Sequence, residues 1–130
     1  MTLKQAILAL PKLDKRWEEY GGSVYYGSRF HICPTRAAYC NRMEAFHAAA
    51  KTIGYEIWWT PELWRVGRGL ELGKPPFCAH WCYPIKAGHR QVSLDKYYKS
   101  SGVHKTPALA IRAAFIAAVQ DAKKRKEDKP

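Results

Sequence analysis

The sequence predicts an α+β domain: a small antiparallel sheet of three to four strands sandwiched by helices, with a buried C-terminal helix. Three observations carry this. Residues 106–122 (TPALAIRAAFIAAVQDA) are apolar almost without a break from Ala108 to Val119, with only Arg112 intervening. A helix apolar nearly all round is a buried helix, and this one is too short and too Ala-rich for a membrane span, which needs roughly 20 strongly apolar residues. In residues 36–53, Tyr39, Met43, Phe46, Ala50 and Ile53 recur at spacings of 4, 3, 4 and 3, the stripe of an amphipathic helix. Residues 55–59 (YEIWW) alternate instead, with Tyr55, Ile57 and Trp59 facing one way and Glu56 and Trp58 the other, as in a half-buried strand.

The remaining elements follow in chain order. Thr2 is placed to cap a first helix carrying Leu3, Ala6, Ile7 and Leu10, and Pro11 breaks it or starts a second. In that second helix Leu13, Trp17 and Tyr20 form a stripe ended by Gly21-Gly22. Short β-like pieces at 24–26 and 30–32, with Gly27-Ser28 between them, make a hairpin or an ordered loop. Gly54 is a C-cap for the amphipathic helix. After the 55–59 strand, residues 60–62 read as a turn, 63–66 as a returning strand and 67–76 as a loop. Residues 77–83 read as a strand ended by Pro84, 91–94 as a fourth, and 95–105 as a polar, basic loop. Thr106 and Pro107 open the buried helix, where Leu109, Ile111, Phe115, Ile116 and Val119 supply volume. We expect one domain over 1–122 and a charged, frayed tail over 123–130.

At 130 residues the chain suffices for one domain with a real core. Its 13% aromatic content argues against disorder. The opening MTLKQAILALPK lacks the cleavage site of a signal peptide, so the expected setting is a cytoplasm with the four cysteines as reduced thiols. Net charge is +11 and uneven. Residues 1–83 carry eleven Lys/Arg against seven Asp/Glu, and residues 84–130 eleven against four. That balance favours acidic partners, namely nucleic acid, a nucleoprotein complex or an acidic protein face.

Several segments resemble a known family. ILALPKLDKRWEEY is similar to the opening of small phage and prophage proteins with a phage ABA sandwich domain. Residues 34–54 stand where those proteins have a Pro-led turn and an Ala-rich helix, and TPALAIRAAFIAAV resembles their closing helix. The chain departs at Cys33-Pro34-Thr35-Arg36, where the family commonly has a Tyr-Ser-Thr-Asp run. The resemblance implies a helix–sheet–helix sandwich and a phage or prophage origin. It implies no established activity, and no catalytic residue is carried over.

Candidate sites are weighed against plainer roles. Cys33, Cys40, Cys78 and Cys82, with His31 and His80, suggest zinc, but C-x6-C and C-x3-C are not the tight pairs of structural sites. In an extended 77–83 segment Cys78 and Cys82 would lie about 13 Å apart, at roughly 3.3 Å per residue. Buried thiols are the plainer reading, and no metal or cofactor is expected. A nucleophilic pair of Cys82 with His47 or His104 has no local motif behind it, and Glu56 with Glu62 suits a solvated edge as well as an acid–base pair. Gly67 to Lys74 brushes against a phosphate-loop pattern, but Pro75-Pro76 follows where a helix should start.

The strongest lead is aromatic and basic. Trp58, Trp64 and Trp81 stand on the expected strands, and Arg65, Arg68, Lys74, Lys86, His89, Arg90, Lys96, Tyr97, Tyr98 and Lys99 lie near them in sequence. Aromatic side chains interleaved with Lys and Arg stack bases and neutralise phosphates, and the same types make protein-binding hot spots. The expected function is therefore a non-enzymatic binding module, with Trp58, Trp64, Arg65, Arg68, Lys74, Lys86, His89, Arg90, Lys96, Tyr97 and Lys99 facing nucleic acid or a nucleoprotein complex. For a phage accessory protein, the concrete form is inhibition of a host defence complex. The alternatives are a protein–protein adaptor or homo-oligomer burying exposed tryptophans, and an enzyme acting on small nucleotides.

Overall fold

The computed structural model describes residues 1–34, 43–61, 76–84 and 98–128. Among them are three helices and two three-stranded antiparallel sheets, an α+β fold. The first sheet has the order β1 (Trp17–Tyr20), β2 (Ser23–Tyr26), β3 (Phe30–Ile32). The second has the order β4 (Glu56–Pro61), β5 (Phe77–Cys82), β6 (Tyr98–His104).

Helix α1 spans Leu3–Leu13. Thr2 Oγ1 accepts from Gln5 N at 3.2 Å and Gln5 Oε1 from Thr2 N at 2.8 Å, a reciprocal cap for two amide groups the helix cannot satisfy itself. Pro11 lies inside α1, in its last turn, rather than breaking it. The expected second helix is instead a strand. Asp14 accepts the Arg16 backbone N–H at 3.0 Å, a local turn that competes with helix. Gly21 and Gly22, at φ +57° and +82°, then form a two-residue hairpin loop with Tyr20 opposite Ser23. The 4-and-3 spacing of Leu13, Trp17 and Tyr20 was coincidental: Trp17 is buried, while Tyr20 is 79% exposed. The pieces at 24–26 and 30–32 resolve into a hairpin, Tyr26 pairing with Phe30.

Helix α2 spans Met43–Thr52 and buries Phe46, Ala49 and Ala50. Trp17 Nε1 donates to Thr52 Oγ1 at 2.9 Å, tying β1 to the end of α2. Gly54 adopts φ +91°, and a Cβ there would stand 3.2 Å from the Tyr83 ring, so this cap needs glycine on two counts.

The alternation expected at 55–59 is present, with Tyr55 and Ile57 buried and Trp59 packed against the core. Strand β4 continues through Thr60 and Pro61, where a turn was expected. Residues 98–104, expected as loop, form β6. It has one strand neighbour among the described residues, and its polar composition is that of an edge. Its register shifts between Cys78 and His80, beside Gly102 at φ +90°.

Helix α3 (Pro107–Asp128) begins where expected, with Thr106 Oγ1 accepting from Leu109 N at 3.1 Å. It packs against β4, β5, β6, α1 and α2, and buries Ala110, Ile111, Ala114, Phe115, Ala118 and Val119. The alanines admit close neighbours and Phe115 fills the space between them, its ring 5.2 Å from that of Phe46. Leu109 departs from expectation: it is 41% exposed in the first turn. The helix also runs past Ala122 to Asp128, through residues expected to fray, where Asp121 pairs with Arg125 and Lys126 Nζ donates to the Lys12 carbonyl. The expected strands at 63–66 and 91–94, the loop at 67–75, and residues 36–42 of the amphipathic helix lie outside the described residues.

Candidate functional site

Of the expected contact residues, Trp64, Arg65, Arg68, Lys74, Lys86, His89, Arg90, Lys96 and Tyr97 lie outside the described residues, as does Cys40. Lys99 stands in β6 at the register position opposite Trp81. Trp58 is half-buried on β4, on the sheet face that also carries Thr60, Cys78 and His80. Its ring stacks on His80 at 5.5 Å and 25°, and Thr60 Oγ1 and His80 Nε2 share a hydrogen bond of 2.6 Å. Burial holds the His80 pKa below its ordinary 6.5. These contacts order Trp58 against its own sheet. Cys78 and Cys82 lie on β5, and among the described residues no three His, Cys, Asp or Glu side chains gather as metal ligands.

The cations of the described surface gather elsewhere. Two adjoining grooves, of about 650 and 630 Å3, share Arg16 and Thr52 as a common wall. Lys15, Arg16, Arg29, Lys51, Arg125 and Lys126 line them, against two acids, Asp14 and Glu44. Four short pieces of chain supply the cations: the turn after α1, the β2–β3 loop, the end of α2 and the last turns of α3, while Tyr83 after β5 adds an aromatic wall. Nothing in local sequence announces such a site, because only the fold brings the pieces together.

Two of the cations are held in the same way. Asp14 grips Arg16: Nε donates to Oδ1 and Oδ2 at 3.1 and 3.2 Å, and Nη2 to Oδ2 at 2.8 Å. The Arg16 guanidinium lies 5.1 Å from the centre of the Tyr26 ring. At the far side Asp121 Oδ2 accepts Arg125 Nε at 2.7 Å, and the Arg125 guanidinium lies 4.2 Å from the centre of the Tyr83 ring. Hydrogen bonding to Arg16 lowers the Asp14 pKa. The second pair has a deeper anchor, since the Tyr55 hydroxyl donates to Asp121 Oδ2 at 2.5 Å. Burial, and then that bond, raise the Tyr55 pKa, so the hydroxyl stays a donor.

The sequence held a faint sign of each pair. Asp14 and Arg16 stand in the turn just after α1, and Asp121 and Arg125 are spaced for an i,i+4 bond. The aromatic partners, at positions 26 and 83, were not foreseeable from spacing. Among the described residues no helix is long and apolar enough to cross a membrane. Comparison with protein-family models, with curated proteins and with solved structures finds no match to this chain.

Proposed function

We propose that this protein is a non-enzymatic binding module for nucleic acid or a nucleoprotein complex, and that the joined grooves are its contact surface. The observation that carries the reading is the excess of six cations over two acids along one concave surface with aromatic walls. Phosphate backbones are drawn to such surfaces, and each neutralised phosphate releases counterions. The net charge of +11 supports the same class of partner. In the phage or prophage setting that the resemblance implies, a host defence complex holding nucleic acid is a target of matching chemistry. An adaptor that offers exposed tryptophans draws less support, since Trp17 is buried and Trp58, Trp59 and Trp81 are half-buried.

The test is titration of fluorescently labelled single- and double-stranded nucleic acid at about 50 and about 200 mM salt. Contact with about three to six phosphates predicts a loss of affinity of roughly 20-fold to 10³-fold between the two conditions. Absence of binding at the lower salt, or binding indifferent to salt, would overturn the proposal.

A further inference from the structure

Resting on that reading, we infer that the grooves take unpaired nucleic acid, and that Arg16 and Arg125 act as platforms on which exposed bases stack. Part of each guanidinium is already engaged within the protein. Asp14 occupies the Nε–Nη2 edge of Arg16, one of the edges that can fork onto a phosphate. The guanidinium carbon stands over the Tyr26 ring, 5.1 Å from its centre. What remains is the Nη1–Nη2 end and the guanidinium surface away from Tyr26, on a side chain that is 65% exposed and lines both grooves.

Arg125 repeats the arrangement. Its Nε is held by Asp121 and its guanidinium carbon stands over the Tyr83 ring, while the side chain stays 49% exposed at the groove. A guanidinium fixed by a carboxylate and backed by a ring is a flat, oriented surface that gives up little freedom on binding. Bases stack on guanidinium planes as they do on aromatic rings, and only unpaired bases offer their faces. The phosphates between them then fall to the lysines, which act as point charges: Lys15, Lys51 and Lys126 along the same surface.

The experiment compares anisotropy titrations of the full chain with a labelled oligothymidylate of about 12 nucleotides and with a duplex of equal length, within the range of single-strand site sizes. The single strand is expected to bind about tenfold more tightly. Arg16→Lys and Arg125→Lys keep the charge and remove the plane, so each is expected to weaken single-strand binding about tenfold with an unchanged salt slope. Arg29→Lys is the control: Arg29 is exposed at the groove and, among the described residues, has no such stack, so its replacement is expected to leave affinity near that of the parent. Circular dichroism confirms that each variant is folded before it is titrated. Equal affinity for duplex and single strand, or Lys variants that bind like the parent, would overturn the platform inference while leaving the basic surface in place. Failure of the parent chain to bind either probe would overturn the proposed function, and this inference with it.

Discussion

The two halves of α3 differ more than any two helices of the fold. From Pro107 to Val119 the helix is alanine and bulky apolar residues apart from Arg112, and it meets both the second sheet and the other helices. From Gln120 to Asp128 it is charged and mostly exposed, and it delivers Arg125 and Lys126 to the groove, with Asp121 holding Arg125. One continuous hydrogen-bonded rod thus fixes the core at one end and the cations at the other. The two halves should separate under substitution, with the first governing stability and the second governing binding.

The largest effect is expected at Phe115. Truncation to alanine leaves a cavity among buried alanines and should lower unfolding free energy by about 3–5 kcal/mol, read in urea melts. Loss that large takes a sizeable share of the stability of a small domain, usually about 5–15 kcal/mol. Tyr55→Phe sits at the boundary between the halves. It removes the hydroxyl that holds Asp121 and should cost about 1–3 kcal/mol. It should also weaken binding, because the Arg125 anchor loosens. A variant that loses stability and keeps full affinity would show that the two functions of the helix are not linked through this bond.

Acid is a smaller lever and acts outside the groove. His80 is held below 6.5 by burial, so the unfolded chain takes up that proton more readily than the folded one. Stability should be full above about 6.5 and fall as pH drops from there toward the folded value. Thermal melts from neutral to mildly acidic pH should show the decline, and His80→Gln should flatten it. An unchanged profile in that variant would assign the decline to other groups. Smallest of all is the stability effect of Arg125→Gln. An exposed i,i+4 ion pair is worth about 0.3–0.5 kcal/mol, so its melt should barely move while affinity falls.

Legibility in the sequence followed burial. The first half of α3 and the strand at Tyr55–Trp59 could be read because one face meets a core, and burial imposes the period of the element on the apolar residues. Strand β6 could not, because an edge strand needs few apolar residues and Tyr98–His104 reads as polar loop. Strand β1 could not, because Leu13, Trp17 and Tyr20 happen to mimic helical spacing, and the Asp14 turn and the glycine hairpin override it. The groove was hidden for a different reason. Arg16 meets Tyr26, and Arg125 meets Tyr83, only through tertiary packing, so their sequence neighbourhoods carry no pattern. Sequence reasoning placed the basic surface where Lys, Arg and Trp are adjacent in the chain, among residues 58–99. The structure gathers another from residues distant in the chain.

The most direct test of the basic groove is the salt dependence of single-strand binding, measured for the parent and for a Lys15→Gln, Lys51→Gln, Lys126→Gln triple variant. Three phosphate contacts predict a slope of log affinity against log salt of roughly −2, and loss of all three a slope near zero. The account predicts that fall in slope in a variant that remains folded. A triple variant with the parent's slope would contradict it, and a slope that falls only when Lys86, Arg90 and Lys96 are replaced would move the site to that segment.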